Sequence, residues 1–275
     1  MKRIMKRRGP AVLGGLSASV FRFWFVSSLV LVLLYITSPL VSTIAAPTWE
    51  GFTKTLADPE VLQSVWLSLS TAGMAAGLAL FFGTPLAYVL ARYDFPGKRF
   101  VESLIDLPIM IPHPVVGISL LTLTGRDTWF GGVIADLGVE IMGTTTGIVA
   151  VLLFVGLPFY VNTVKAGIES VPPRLENVSR SLGAGWAQTF FRITLPLSWR
   201  HMLVGMIMCI ARAISEFGAI IIVAYHPMTA PVLMYERFTA YGLAWSQPVA
   251  VLLILASMLL FFLLRLFSLP KGSLS

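Results

Sequence analysis

A polar segment interrupts the apolar sequence of this chain: "RLENVSRSLGAGWAQTFFRITLP", residues 174–196. Its charged and amide side chains make it too polar to cross a bilayer. Its apolar residues Leu175, Val178, Leu182 and Trp186 nevertheless recur every three or four positions, which places them on one face of a helix. The segment therefore predicts two short helices, interrupted at Gly183 and Gly185. Their apolar faces either lie on the membrane surface or dock in a groove of a partner protein.

The sequence around this segment is typical of a membrane protein. Of its 275 residues, 56% are hydrophobic and only 12% are charged, whereas a soluble domain carries roughly 25% charged residues. The apolar residues form runs of about 20 or more, the length that a helix needs to cross the hydrocarbon core. These runs are residues 21–44, 62–91, 101–124, 144–166, 201–224 and 248–269. We therefore predict an all-α membrane protein with six transmembrane helices.

The first run follows a basic head and has to be distinguished from a signal peptide. It is longer than the roughly 7–15 apolar residues of a signal-peptide core, and Pro39 follows where a small-residue cleavage site is expected. We predict a retained anchor. The chain then has a basic segment at 1–20, an anchor with its outer loop at 21–61, a main membrane domain at 62–269 and a short tail at 270–275.

Basic residues predict the orientation of the helices, because cytoplasmic loops retain Lys and Arg. The head, the loops after the second and fourth runs, and the tail hold most of them, while Lys54, Arg126 and Arg237 stand alone in the other three loops. Both termini and residues 174–196 are therefore predicted to be cytoplasmic, in a multi-pass protein of the cell membrane. The net charge of +7 follows from this topology, so no nucleic-acid partner is expected.

Sequence signatures of catalysis and metal binding are missing. There is no GxxxxGK[ST] phosphate loop, HExxH or CxxC, and the only cysteine is Cys209 in an apolar run. His113, His201 and His226 lie far apart in sequence. No catalytic residue, metal ligand or cofactor is predicted in this chain, so it is not expected to be an enzyme.

Residues 174–196 resemble the cytoplasmic loop of ABC-importer permeases. The pattern of that family is Glu-Ala-Ala, three residues, Gly, nine residues, Ile, one residue and Leu-Pro. When the pattern is aligned on Gly183, this chain has Ile193, Leu195 and Pro196 at the matching positions.

The chain departs from this pattern at its acidic position. Val178 and Ser179 fall on the two alanines, Asn177 falls on the glutamate, and Glu176 lies one residue earlier. The resemblance implies a coupling loop at about 170–196 that binds a separate ATPase subunit, and either Glu176 or Asn177 could make its polar contact. The implied coupling residues are Glu176, Asn177, Val178, Ser179, Leu182, Gly183, Trp186, Ile193, Leu195 and Pro196.

Two further stretches resemble the permeases of molybdate, tungstate and sulfate importers. They are "LPIMIPHPVVGISLL" at 107–121 and "ARAISEFGAIIIVAY" at 211–225. The resemblance implies a type I ABC-importer permease fold over 62–269 and import of molybdate or tungstate, with sulfate or thiosulfate as the alternative. It also implies a second copy of this chain, two ATPase subunits that bind the ATP, surrounding lipid and an external oxyanion-binding protein.

The third and fifth runs contain residues that are unusual inside a membrane. Pro112 and Pro114 flank His113; they predict either a broken helix that lines a pathway or a kinked packing helix. Arg212 and Glu216 lie four apart, which predicts a structural ion pair, with Arg212 near the path of an anion as the alternative. The pathway candidates are Pro112, His113, Pro114, Ser119, Thr122, Arg212 and Glu216.

Two other classes of membrane protein remain as rivals. A secondary transporter commonly shows internal repeats and coupling-ion sites, and neither is visible in the sequence. A membrane anchor or assembly protein would not need the spacing from Gly183 to Pro196. Outer loops with seven acidic and three basic residues further indicate a docking partner with basic patches.

Overall fold

The structure, a computed structural model, describes residues 18–125 and 127–268. The basic head up to residue 17, Arg126 and the tail from residue 269 lie outside the described residues. Within the described ranges the chain is helical, without β-strands, and two π-helical segments occur at Ala79–Gly83 and Phe190–Thr194. The α-helices are α1 (Ala18–Ala45), α2 (Trp49–Leu56), α3 (Pro59–Leu78), α4 (Thr84–Arg92), α5 (Lys98–Met110), α6 (His113–Thr124), α7 (Trp129–Asp136), α8 (Thr145–Glu169), α9 (Pro173–Ser181), α10 (Trp186–Thr189), α11 (Leu195–Ile214), α12 (Ile220–Val223), α13 (Ala230–Tyr241) and α14 (Leu243–Ser268).

Helix α1 belongs to a unit of its own, which ends at Pro47; the second unit begins at Thr48. Its apolar stretch Val20–Ala45 is long enough to cross a membrane. The hydroxyls of Thr37 and Thr43 donate hydrogen bonds to carbonyls four residues back, at 2.7 and 2.9 Å. Polar groups of α1 are thus satisfied inside the helix, as a lipid environment requires.

In the second unit, four continuous helices are long and apolar enough to cross a membrane: Pro59–Arg92, Thr145–Glu169, Trp186–Ile214 and Leu243–Leu263. Helices α5 and α6 meet at a bend of 115° and are long and apolar enough only as a pair. With α1, the described residues thus provide six spans if the bent pair is counted as one. This agrees with the six predicted runs, and the bend lies at the predicted break beside Pro112.

The fifth predicted span differs from the observed helix at both ends. The sequence predicts 201–224, but the helix starts at Trp186 and α11 ends at Ile214. The chain then leaves helical geometry before the one-turn helix α12. The Glu216 carboxylate accepts a hydrogen bond from the Ala219 N–H at 2.9 Å, which satisfies a backbone donor that the missing turn would otherwise leave free. The hydropathy of the whole run did not show this end, because the apolar sequence resumes at Phe217 after only Ser215 and Glu216.

Helix α8 is central to the second unit and packs against α3, α4 and α11. One of its faces is buried along most of its length, from Ile148 to Ile168. A Cβ placed on Gly156 would lie 2.6 Å from the Cys209 Sγ, so glycine allows α8 and α11 to approach closely here. The buried Cys209 acts as a small packing residue.

Candidate functional site

The two short helices predicted at the polar segment are α9 and α10, and the four apolar side chains that recur along them are exposed. We call this surface the coupling face; it consists of Leu175, Val178, Leu182 and Trp186. Leu182 is 83% exposed and Trp186 is 58% exposed, and the other two are exposed to a similar or smaller extent. Large apolar side chains that share one exposed surface are typical of a site that binds another protein.

A glycine turn ends α9 and directs the chain back toward the membrane. Gly183 has φ +89°, a left-handed conformation that glycine adopts without a steric penalty. Its N–H donates to the Arg180 carbonyl at 3.0 Å, and the Ala184 N–H donates to the Ser179 carbonyl at 3.1 Å. These bonds satisfy carbonyls at the helix end, so the Gly183 of the family pattern has a clear structural role.

The indole of Trp186 is held in place on the coupling face. The Arg180 guanidinium lies 4.3 Å from the centroid of the Trp186 ring, within the range of a cation–π contact. The Tyr93 ring is 6.4 Å from the same indole, centroid to centroid. Arg180 also donates to the Asn177 side-chain oxygen at 2.5 Å, so Asn177 lies on the exposed side of α9 beside this arrangement.

Glu176 lies on the opposite, buried side of α9, with 3% of its surface exposed. Its Oε1 accepts hydrogen bonds from Arg92 Nε at 3.0 Å and from Thr194 Oγ1 at 2.8 Å. A carboxylate that is buried and bonded within its own chain is not presented to a docking partner. Of the two polar residues considered for that contact, Asn177 is the exposed one.

The remaining residues of the family pattern serve the start of the fifth span. Ile193 and Leu195 are half-buried, and Leu195 packs on the hydrophobic core cluster around Tyr160. Pro196 is exposed in the first turn of α11, where proline is well tolerated. Ser179 is half-buried, and its hydroxyl lies 3.2 Å from that of Thr189. These residues fix the loop rather than extend the coupling face.

Two helix breaks meet inside the membrane domain. The break between α5 and α6 packs on the unwound chain after α11, and a Cβ on Gly218 would lie 3.1 Å from the Cβ of His113. A Cβ on Gly117 would lie 2.8 Å from the Ala219 carbonyl oxygen. Broken helices at membrane depth are tolerated where they are buried in protein or line a water-filled cavity.

Three ionisable side chains gather at this crossing; we call His113, Arg212 and Glu216 the membrane cluster. Glu216 is fully buried, and its Oε2 lies 2.7 Å from Arg212 Nη2 and 2.9 Å from His113 Nδ1. His113 Nε2 lies 2.8 Å from Arg212 Nη2. The expected ion pair is therefore present, and His113 contacts both of its members.

The other pathway candidates lie on the same broken span. Pro112 and Pro114 are exposed at the start of α6, and Ser119 and Thr122 are exposed farther along it. The Thr122 hydroxyl donates to the Ile118 carbonyl at 2.9 Å. The structure thus brings His113, Arg212 and Glu216 into contact, while the two hydroxyl residues stand apart on α6. Their role in a pathway stays a prediction.

Sequence reasoning missed Arg92 and Thr194. Arg92 counted only as a basic residue of a cytoplasmic loop, and Thr194 occupies the unspecified position of the family pattern. One signal was available: Glu176 is the only acidic residue among 174–196. A lone acid in a helix that flanks the membrane predicts a basic partner at the end of a neighbouring span.

Comparison with known proteins identifies the family. Residues 83–269 match the family described as binding-protein-dependent transport system inner membrane component, and the chain belongs to it. The molybdate/tungstate transport system permease proteins of Methanocaldococcus jannaschii and Pyrococcus furiosus are 44% and 49% identical to it. The matches cover 89% and 78% of this chain and 95% and 82% of those proteins. The sulfate transport system permease protein of Synechococcus elongatus is 34% identical over 79% of this chain and 78% of its own.

Solved structures show the same fold at low sequence identity. A bacterial ABC transporter involved in the import of the polysaccharide alginate matches with a TM-score of 0.68 and 17% identity, over 91% of this chain and 96% of that one. The MetNI methionine ABC transporter in an inward-facing conformation matches with a TM-score of 0.62 and 17% identity, over 76% of this chain and 94% of that one. The chain is thus a multi-pass membrane protein with the type I ABC-importer permease fold.

Proposed function

We propose that this chain is the permease subunit of an ATP-driven importer of molybdate and tungstate. The observation that carries this proposal is the exposed coupling face on a helix between two membrane spans, in a chain whose molybdate/tungstate relatives are more similar to it than its sulfate relatives. The chain has no phosphate loop of its own, so a separate ATPase subunit supplies the hydrolysis of ATP. The permease itself then catalyses no reaction and holds no cofactor.

The coupling face is suited to receive force from a soluble ATPase. Movement of a partner reaches membrane helices only through a handle that is accessible from water and continuous with them. The coupling face meets the first requirement, because Leu182 directly after α9 and Trp186 at the start of α10 are exposed. The continuous helix Trp186–Ile214 meets the second, because it runs from the coupling face into the membrane.

A second copy of the chain would complete the pathway. His113 has 40% of its side chain exposed and Arg212 has 16% exposed in a single copy of the chain. Ionisable groups at membrane depth are costly in lipid and normally face protein or water. A homodimer that places the two membrane clusters on opposite sides of one central pathway, with two ATPase subunits beneath it, would remove them from lipid.

The predicted outer surface suits a binding protein with basic patches. Arg237 is one of its few basic residues, and its guanidinium is engaged by Asp58 at 2.6 Å and Glu60 at 3.1 Å. This neutralises much of the available positive charge and leaves the acidic excess of the outer loops. With this orientation, both termini are cytoplasmic and α9 faces the ATPase.

Reconstitution tests the proposed function. The chain is purified with the ATPase and binding protein of its own importer and placed in vesicles that contain ATP. We expect uptake of molybdate that depends on the binding protein and ATP hydrolysis that rises when this protein carries molybdate. Uptake that persists without ATP would favour a secondary transporter, and hydrolysis that ignores the loaded binding protein would contradict the importer.

Competition separates the two oxyanion classes. Sulfate is the second candidate substrate, because sulfate permeases are also relatives of this chain. We expect tungstate to displace molybdate in uptake and sulfate at the same concentration to leave it unchanged. Uptake of sulfate in preference to molybdate would move the chain to the sulfate group.

Variants of the coupling face test its role separately. Replacing Leu182 and Trp186 together with alanine should weaken binding of the ATPase by at least about 30-fold, as expected for interface hot spots. Trp129→Ala, which removes an 84% exposed tryptophan of α7 on the predicted outer surface, is the matched control. Equal affinity of both variants for the ATPase would exclude the coupling face as the docking surface.

A further inference from the structure

Arg92 joins three segments of the chain at the cytoplasmic end of the second span. It is the last residue of α4, and its side chain is 10% exposed. Its Nε and Nη2 lie 3.0 and 2.9 Å from Glu176 Oε1, and Nη2 also donates to the Val171 carbonyl at 2.9 Å. The end of the second span is therefore tied both to the coupling helix and to the segment that follows α8.

Thr194 ties the fifth span to the same carboxylate oxygen. It is fully buried at the end of the π-helical segment that leads into α11. Its hydroxyl donates to Glu176 Oε1 at 2.8 Å, and its carbonyl accepts a hydrogen bond from the Ser198 hydroxyl at 2.7 Å. One buried oxygen of α9 thus collects donors from the second and fifth spans.

At its two ends, α9 is connected to the rest of the chain by short backbone turns. The helix follows Pro172 and ends at the Gly183 turn, where a Cβ would contact nothing within 4 Å. A nine-residue helix held only at such ends could rotate when its partner moves. Side-chain bonds on the buried side, opposite the coupling face, therefore determine how far a push on α9 reaches the spans.

We propose that Arg92, Glu176 and Thr194 form a coupling node that transmits movement of α9 to the second and fifth spans together. All three are positioning residues: they contact neither the transported ion nor, since they are buried, the ATPase. This inference rests on the proposed function. It adds a residue outside the cytoplasmic loop, Arg92, to the coupling machinery and gives Glu176 an internal role in place of a contact with the partner.

The decisive variant removes both charges of the node at once. Arg92→Met combined with Glu176→Leu leaves no unpaired buried charge, which is the main cause of misfolding when one partner of such a pair is lost. The coupling face is unchanged, so the ATPase subunits should still copurify with the variant. We expect molybdate transported per ATP to fall by at least about fivefold, the lower end of ordinary coupling strengths, with hydrolysis no longer raised by loaded binding protein.

A second ion pair between helices provides the control. Lys165 of α8 contacts Glu102 of α5, with side chains 22% and 28% exposed. The variant Lys165→Met with Glu102→Leu should keep the wild-type ratio of molybdate to ATP. An unchanged ratio in the node variant, or an equal fall in both variants, would overturn the node.

A distance measurement tests the node without transport. Spin labels at Asp94, just after α4, and at Ser181, at the end of α9, report on the attachment of the coupling helix; both side chains are exposed. We expect the distance distribution to broaden in the node variant and to stay narrow in the control. If the double variant does not fold, Arg92→Lys replaces it, because lysine keeps the charge but loses the two-nitrogen contact with Glu176. Arg92→Lys should broaden the distance distribution less than the double variant would. A distance distribution identical to that of the wild type in the folded variants contradicts the coupling node, even if the wild-type chain transports molybdate. Failure of the wild-type chain to transport molybdate would contradict only the proposed function.

Discussion

Two buried Arg–Glu pairs of this chain have similar chemistry but differ in the other groups that contact the carboxylate. In the membrane cluster, Arg212 and Glu216 lie four residues apart at the end of one span, and His113 provides another donor to the carboxylate. In the coupling node, Arg92 and Glu176 are 84 residues apart in sequence. Among the described residues, Arg92 is the one cation hydrogen-bonded to the Glu176 carboxylate.

This difference indicates different consequences of losing an arginine. Breaking a buried pair leaves the partner charge without compensation, and that cost depends on what else can reach the charge. Glu216 keeps His113 and the Ala219 N–H, while Glu176 keeps only the Thr194 hydroxyl. We infer that His113 can still donate to Glu216 when Arg212 is lost, whereas among the described residues no second cation contacts the Glu176 carboxylate when Arg92 is lost.

The largest expected effect comes from removing each arginine alone. Arg92→Met should lower the free energy of unfolding by about 3–5 kcal/mol, and Arg212→Met should lower it less because the imidazole of His113 still donates to Glu216. Unfolding in detergent solution measures both. Lys54→Met, which breaks an exposed pair with Glu50, is the control and should change stability by less than about 1 kcal/mol. If Arg212→Met lowered the free energy of unfolding more than Arg92→Met does, His113 would not compensate for the lost arginine.

The next largest effect on stability is expected at the contact between Gly117 of α6 and Ala219 after α11. Gly117→Ala places a methyl group 2.8 Å from the Ala219 carbonyl oxygen, and overpacking of this kind costs about 1–3 kcal/mol. Gly73→Ala is the control, because a Cβ there meets nothing within 4 Å. The same unfolding measurement applies. Equal stability of both variants would mean that the two helix breaks can separate without cost.

The turn after α9 should affect coupling more than stability. Gly183→Val forces a β-branched residue into a left-handed conformation at a cost of roughly 1–2 kcal/mol, so the turn should change and molybdate transported per ATP should fall. Gly185→Ala is the control, since Gly185 has φ −70° and open space around its Cβ. Wild-type transport by Gly183→Val would show that α9 tolerates a different path back to the membrane.

The smallest expected effect is the loss of the Asp58–Arg237 contact, on the predicted outer surface, at low pH. Burial opposes ionisation of Asp58, but hydrogen bonds from Arg237 and the Glu60 N–H prevail and lower the pKa of the carboxyl. A lowered pKa means that this contact stabilises the fold above about pH 4, near the ordinary carboxyl pKa, and is lost as the pH falls through the folded value. The difference in stability between wild type and Asp58→Asn should therefore shrink on acidification, and it should stay below about 1 kcal/mol because the pair is partly exposed. A difference that grows in acid would contradict this sign.

Much of the fold follows from the sequence because lipid imposes simple requirements. Apolar runs of membrane length located every span, and Pro112 located the break between α5 and α6. Spacing on a helix also identified Leu182 and Trp186 before their exposure was known, since periodicity depends on neighbours only three or four residues away.

The end of α11 and the coupling node could not be obtained in this way. Helix α11 ends at Ile214, and the Glu216 carboxylate accepts a hydrogen bond from the Ala219 N–H beyond this end; a count of apolar residues does not detect such a contact. Arg92 and Glu176 meet because α4 and α9 converge in space. Alignment to the family pattern compares positions along one loop, so it left Glu176 and Asn177 as alternatives and could not show that Glu176 is buried.

The exposure of Leu182 has a further consequence for the life of the subunit before assembly. With the proposed orientation, a permease without its ATPase displays the indole of Trp186 and the isobutyl group of Leu182 to the cytosol. Such surfaces promote aggregation and attract chaperones and proteases until a partner covers them. The same surface that receives force in the assembled importer would then serve earlier to identify unassembled subunits, and production of the two subunits in matching amounts would be an advantage to the cell.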